Sequence, residues 1–215
     1  MTNPSQDPGT ERATAQALQL LLERAAICDV LQSWGLWRDR CEWEALRSLY
    51  APGATMQTTW LDGSATDFVD ISQRMSAGAA RAQHYIGVPI VEVHGACAVA
   101  QTRITILVRG VLDGVAVDAT CHGWFVDRLV KSEGRWLIKS RVPFYEKDTL
   151  AAVDPGVTLK LDAALLETFP AAYKHMAYVQ SAVGAPVNLT LPLPGSAAQD
   201  RVLRECGTWL AAGRP

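Results

Sequence analysis

From about residue 11 to residue 41 the apolar positions recur at helical spacing, on two stripes rather than one. Leu18, Leu21, Leu22 and Ala25 form the first stripe, and Ile27, Val30, Leu31, Trp34 and Trp37 form the second. At about 100° per residue the centres of the two stripes lie roughly opposite. The pattern predicts either a break near Arg24 or one helix buried on different sides along its length. A second, short helix is expected over residues 42–50, stopped by Pro52-Gly53.

The period then changes. Residues 54–60 suit a short strand and residues 67–75 a helical crossover. Long strands follow, over about 84–94, 96–110, 114–131 and 135–145. Asp113-Gly114 and Glu133-Gly134 carry two-residue hairpin chemistry, and His94-Gly95 a weaker form of it. Strands joined by such short turns are antiparallel. Helices first and an antiparallel meander afterwards define an α+β fold.

Three segments follow from this reading: a polar leader over residues 1–10, a domain over 11–149, and an arm over 150–215. The arm holds 6 of the 11 prolines and only 10 charged residues among positions 151–215. A helix is expected over 161–183 in spite of Pro170, and another over 201–210. Phe169, Tyr173 and Met176 recur at helical spacing, so one face of the arm requires cover. The open face of the sheet requires cover too. A homodimer with isologous contact through the sheet is expected, with the arm wrapping the pocket mouth or the neighbouring subunit. The alternative is an arm packed on its own domain.

Composition narrows the function. With 49% hydrophobic residues the chain can bury a full core, and a net charge of −2 leaves no basic excess for a nucleic-acid backbone. The five cysteines are scattered, with no C-x-x-C pair, which argues against a disulfide framework or zinc ribbon. No run approaches the roughly 18 apolar residues of a membrane span, and the first residues have no apolar signal core. The expectation is a reduced, cytoplasmic-type domain with no membrane or nucleic-acid partner.

Polar residues inside the apolar pattern are the candidates for chemistry. On strict alternation His84 shares a face with Ile86, Val88 and Ile90, and His122 with Thr120, Trp124 and Val126. The two histidines either converge in one cavity or are each a hydrogen-bonded core or edge residue. Asp39 closes the long helical stretch, where a carboxylate meets the negative end of the helix dipole at a cost of ~0.3–1 kcal/mol. It is either functional or a solvated partner of Arg38 and Arg40. Cys121 adjoins His122, but neighbouring strand residues point to opposite faces, so a thiol dyad is not expected. No histidine–carboxylate spacing of a metal site, nucleophile elbow or phosphate-binding loop occurs.

Three strings, AAICDVLQSWGLWRDRCEWEALRSLYAPGA, QHYIGVPIVEV and CHGWFVDRLVKSEGRWLIKSRVPFYEKD, resemble the SnoaL-like branch of the nuclear-transport-factor-2-like superfamily. That branch includes polyketide cyclases, scytalone dehydratase and a dehydrochlorinase. The resemblance implies a cone in which helices pack on a strongly curved, mainly antiparallel sheet. It implies that Asp39 orients His84 and that His84 removes a proton. It matches His122 to a second pocket histidine, and it places Arg38 where the dehydratase has a tyrosine. Tyr50, Trp60, His122, Trp124 and Arg141 are the expected substrate-lining residues. The implied activity is a lyase or isomerase on a cyclic hydrophobic small molecule, with no metal and no organic cofactor. The same fold also serves as a non-catalytic binding module and as the small structural subunit of ring-hydroxylating dioxygenases.

Overall fold

Helix α1 (Pro8–Asp39) runs unbroken for 32 residues, in a computed structural model that describes residues 8–78 and 81–214. Good helix formers fill it, and Pro8 occupies its first turn. Of the expected leader, residues 8–10 already belong to this helix, while residues 1–7 lie outside the described residues. The helix does not break at Arg24. Its second stripe is the buried one, through Ile27, Leu31 and Trp34. The first stripe faces outward, with Leu18, Leu21 and Leu22 each more than half exposed. Glu23 marks the point where the helix meets the sheet, accepting hydrogen bonds from Lys131 Nζ and Trp136 Nε1. Cys41 ends the helix in the left-handed region (φ 61°). Cys41 N–H donates to Arg38 O and Glu42 N–H to Trp37 O, the paired closure of a Schellman motif.

Helix α2 (Trp43–Arg47) leads to strands β1 (Tyr50–Gln57) and β2 (Asp62–Ser64). Strand β1 begins earlier than its apolar pattern suggests. Pro52 has no N–H to give, and Gly53 adopts φ 65°. The pair is absorbed in an irregularity between Tyr50 and Thr55 rather than ending the element. Helix α3 (Ala65–Met75) starts at Ser64, whose hydroxyl accepts from Asp67 N–H.

The expected strand over 84–94 is two strands, β3 (Arg81–Ile86) and β4 (Ile90–His94), divided at Gly87-Val88-Pro89 and both paired to β5 (Cys97–Leu112). Strands β6 (Val115–Ser132) and β7 (Arg135–Ala152) complete the meander. Both central residues of its two hairpin turns have positive φ, at Asp113-Gly114 and Glu133-Gly134. The sheet order is β2-β1-β7-β6-β5-β3, with β4 on β5. All pairings are antiparallel except β1 with β7. The architecture is the α+β arrangement of helices on a curved, mainly antiparallel sheet.

The helix expected over 161–183 is two helices, α4 (Ala163–Leu166) and α5 (Lys174–Ala182). Pro170 between them lacks the N–H that a continuous helix needs. Helix α5 packs on the inner face of the sheet, where Tyr173, Met176 and Ala177 join the main core. Helix α6 (Ala197–Ala212) is longer than its apolar pattern, because Ser196 caps its start and Gly213 (φ 65°) closes its end. It lies on the outer face, with Cys206 buried among Val99, Val126 and Phe144. Part of the face left for a second subunit in the sequence reading is therefore covered by α6 of the same chain.

Candidate active site

The last turn of α1 delivers Asp39 to the edge strand β3. One carboxylate oxygen lies 2.5 Å from His84 Nδ1, and the other accepts from the His84 main-chain N–H at 2.6 Å. One side chain thus holds both the imidazole and the strand that carries it. The approach depends on Gly35, one turn earlier on α1. A β-carbon there would stand 2.6 Å from Ile86 Cγ1 and 3.4 Å from His84 O.

The dyad lies at the edge of the core. The His84 side chain is 9% exposed and that of Asp39 20%. The Trp34 ring meets the imidazole edge-on at 5.3 Å. Burial pulls the His84 pKa below its ordinary value, against the opposing pull of Asp39. The ring is therefore neutral near pH 7. With Nδ1 engaged by Asp39, the proton-accepting nitrogen is Nε2, which has no hydrogen-bond partner among the described residues.

Tyr50 and Arg141 lie on the same side of the sheet. Trp34 Nε1 donates to the Tyr50 hydroxyl oxygen at 2.6 Å, leaving the hydroxyl proton free to be donated elsewhere. Burial raises the Tyr50 pKa, so the phenol stays protonated. Arg141 is wholly buried and forms a bidentate pair with Asp127, with Nε to Oδ1 at 2.7 Å and Nη2 to Oδ2 at 3.1 Å. Burial raises the Asp127 pKa and Arg141 opposes that shift. The guanidinium lies between the rings of Trp34 (4.2 Å) and Phe125 (4.4 Å). Its Nη1 is buried and has no hydrogen-bond partner among the described residues. Trp60 stacks on Phe68 at 5.5 Å, and Phe68 on Trp34 at 5.9 Å. Around Arg141 the inner layer is filled by these side chains and Met56.

His122 and Trp124 are not part of this constellation. His84 pairs with Ile106 on β5, whereas His122 pairs with Thr105, one residue away and therefore on the opposite face. His122 Nδ1 lies 3.0 Å from Thr105 Oγ1. Trp124 packs against Phe144 beneath the Arg103 guanidinium. The grouping of His122 with Thr120, Trp124 and Val126 holds, but the face they share is the outer one. A groove of about 430 Å³ opens there, lined in part by Tyr85, Arg103, Thr105 and His122. The inward residues of β6 include Ala119, Cys121, Gly123, Phe125, Asp127 and Leu129. Asp127 is the site residue that sequence reasoning missed. Its signal was an acidic residue in phase with Cys121 and Phe125, within an apolar run. Among the described residues no group of three or more His, Cys, Asp or Glu side chains converges to hold a metal ion.

Residues 19–142 match the SnoaL-like domain, and the chain belongs to that family. Pea pathogenicity protein 2 of Fusarium vanettenii is 33% identical over 177 residues, covering 80% of this chain and 76% of the relative. Among solved structures, a type 2 hexachlorocyclohexane dehydrochlorinase superposes with a TM-score of 0.54 at 14% identity, over 68% of this chain and 99% of its own. A protein of Novosphingobium aromaticivorans, provisionally assigned as a scytalone dehydratase, superposes with a TM-score of 0.53 at 16% identity. It covers 65% of this chain and 97% of its own. At these identities the two structures show the fold.

Proposed function

We propose that the protein is a cofactor-independent lyase or isomerase in which Asp39 orients His84 to remove a proton from a cyclic, largely apolar small molecule. Dehydration is the first reaction class, and ring isomerisation or cyclisation the second. The observation that carries this reading is the two-point hold of Asp39 on His84. A base working near neutral pH is ideally an imidazole, and a carboxylate on one ring nitrogen stabilises the imidazolium formed when the other takes a proton. Nε2 of His84 accepts the proton from carbon. The electron pair left behind passes into an adjacent carbonyl as an enolate, or expels a neighbouring hydroxyl, which leaves as water after protonation. The Tyr50 hydroxyl is the donor for the developing charge. Two solved neighbours of this fold are named for eliminations, which supports the same reaction class.

The test is turnover of a panel of hydroxylated ring substrates by the wild type, Asp39→Asn, His84→Ala and His122→Ala. The first two variants lose about 10²–10⁴ in rate, and the outer-face variant retains it. Full activity in both dyad variants removes the assignment. A second reading, a non-catalytic binding module, is favoured by the filled inner layer around Arg141 and by the groove on the outer face. It predicts ligand retention without turnover. The remaining uncovered part of the outer face is the surface we assign to a second copy, and light scattering of the purified chain reports that dimer.

A further inference from the structure

We propose that the groove on the outer face is a second small-molecule site, apart from the Asp39–His84 pair, for a flat ring that bears one carboxylate. The ring lies against Tyr85 and over Thr105, and the carboxylate meets His122 and Lys147.

The groove of about 430 Å³ follows one row of side chains across the sheet. Tyr85 on β3 pairs with Thr105 on β5, Thr105 with His122 on β6, and His122 with Lys147 on β7. Directly paired residues share a face, and all four line the groove. At about 4.8 Å between strands the row spans ~14 Å, enough for a two-ring acid lying across it. A bulge builds its cationic end. Between the Gly123–Tyr145 and His122–Lys147 pairs the register shifts, and Glu146 is the extra residue on β7. Glu146 and Lys147 are therefore exposed in succession, between the buried Tyr145 and Asp148. The two charges do not cancel. Glu146 is taken by Arg103, whose Nη1 donates to both of its oxygens at 2.7 Å. Lys147 has no ion pair or hydrogen bond among the described residues.

The His122 ring is already oriented, because its Nδ1 lies 3.0 Å from Thr105 Oγ1. Nε2 is the nitrogen left for a ligand. When the Thr105 hydroxyl donates to Nδ1, Nε2 carries the ring proton and can donate it. Lys147 Nζ and His122 Nε2 thus stand side by side on neighbouring strands as donors to one carboxylate. At the other end of the row Tyr85 is 69% exposed, with no partner for its ring among the described residues. An aromatic side chain fixed on a strand stacks against a flat ring. With Arg103 and Glu146 paired, Lys147 is the uncompensated charge of the lining, which suits a single carboxylate.

The experiment is an NMR titration of the nitrogen-15-labelled full chain, at near-neutral pH and low ionic strength, with 2-naphthoate and its neutral counterpart 2-naphthamide. The proteins are the wild type, Lys147→Gln, Lys147→Arg, Tyr85→Ala and His84→Gln, each checked for a native circular-dichroism spectrum. In the wild type the main-chain N–H signals of Thr105, His122 and Lys147 are expected to move. The carboxylate should bind about fivefold more tightly than the amide, the scale of one exposed charge pair. Lys147→Gln binds the two ligands alike, and Lys147→Arg keeps the preference. Tyr85→Ala weakens both by about three- to tenfold, the scale of one aromatic contact. His84→Gln, on the other face of the sheet, binds both as the wild type does. Four results overturn the proposal: no binding of 2-naphthoate, as when a second copy fills the groove; equal binding of the two ligands by the wild type; a preference that survives in Lys147→Gln; or signal changes that gather at Trp34 and Asp39 and disappear in His84→Gln, which would place the ligand at the dyad.

Discussion

Asp148 holds His175 much as Asp39 holds His84: one oxygen sits 2.8 Å from the imidazole Nδ1, and the other accepts a main-chain N–H at 2.8 Å. Here the N–H is that of Met176, in the first turn of α5. Tyr173, which occupies the N-cap position, offers no side-chain cap. A strand residue therefore caps the helix of the arm from outside it. Asp148→Ala is expected to lower stability by about 1–3 kcal/mol, because the Met176 N–H is left buried and unmet. It should also open the segment before α5 to limited proteolysis. Asp148→Asn keeps an acceptor and loses less. Urea denaturation of the two variants ranks them.

His84 sets a pH dependence of defined sign. Burial holds its folded pKa below the ordinary 6.5. Between that lowered value and about 6.5 the unfolded chain binds more protons than the folded one, so stability falls as pH drops through this window and levels off below it. Above 6.5 the contribution is fully present. Activity follows the same neutral imidazole, with an acid limb of kcat/KM whose midpoint lies below 6.5. Thermal melts across this range should show the slope in the wild type and lose it in His84→Gln. A melting temperature that rises on acidification would contradict the desolvation argument.

Gly35 is predicted to matter for activity more than for stability. An alanine β-carbon would stand 2.6 Å from Ile86 Cγ1, the atom nearest the backbone in a stiff β-branched side chain, so the strand carrying His84 is expected to shift. Gly35→Ala is expected to cost about ten- to a hundredfold in turnover through misplacement of the base. Removing the obstructing atoms in Gly35→Ala/Ile86→Ala should recover most of that loss. Turnover measured for the single and double variants, beside their melting temperatures, decides the point.

The Asp127–Arg141 pair should behave as a buried ion pair whose members are intolerable singly. Asp127→Leu or Arg141→Met alone leaves an uncompensated charge among Trp34 and Phe125 and is expected to cost about 3–5 kcal/mol. The double variant should be far closer to wild type in stability. Denaturant unfolding of all four proteins closes the cycle.

The helix-then-meander order was legible because Asp113-Gly114 and Glu133-Gly134 are turn dipeptides whose backbone demands local chemistry alone can read. Asp39 and His84 were legible through family strings rather than through periodicity, since their meeting depends on how α1 crosses β3. The faces of β6 were not legible. The inner layer covers one side of the sheet and α6 the other, so Phe125 and Val126 are equally buried and alternation carries no polar contrast. That is why His122 and Trp124 were read as inward. Pro52-Gly53 and Pro170 show the opposite failing, in which the local signal is plain but only tertiary context decides between a bulge and a stop.

The double grip of Asp39 makes the His84 imidazole and the sheet margin a single heritable unit. Strand β3 ends the sheet order, beside β5, and the main-chain N–H at its His84 position is anchored by the same carboxylate that sets the ring. A lineage that replaces Asp39 also loosens the border of its sheet. Mutational drift at this position is thus restrained by folding even where the reaction no longer matters, and an intact Asp39–His84 pair in a relative would be evidence of shared architecture before it is evidence of shared activity.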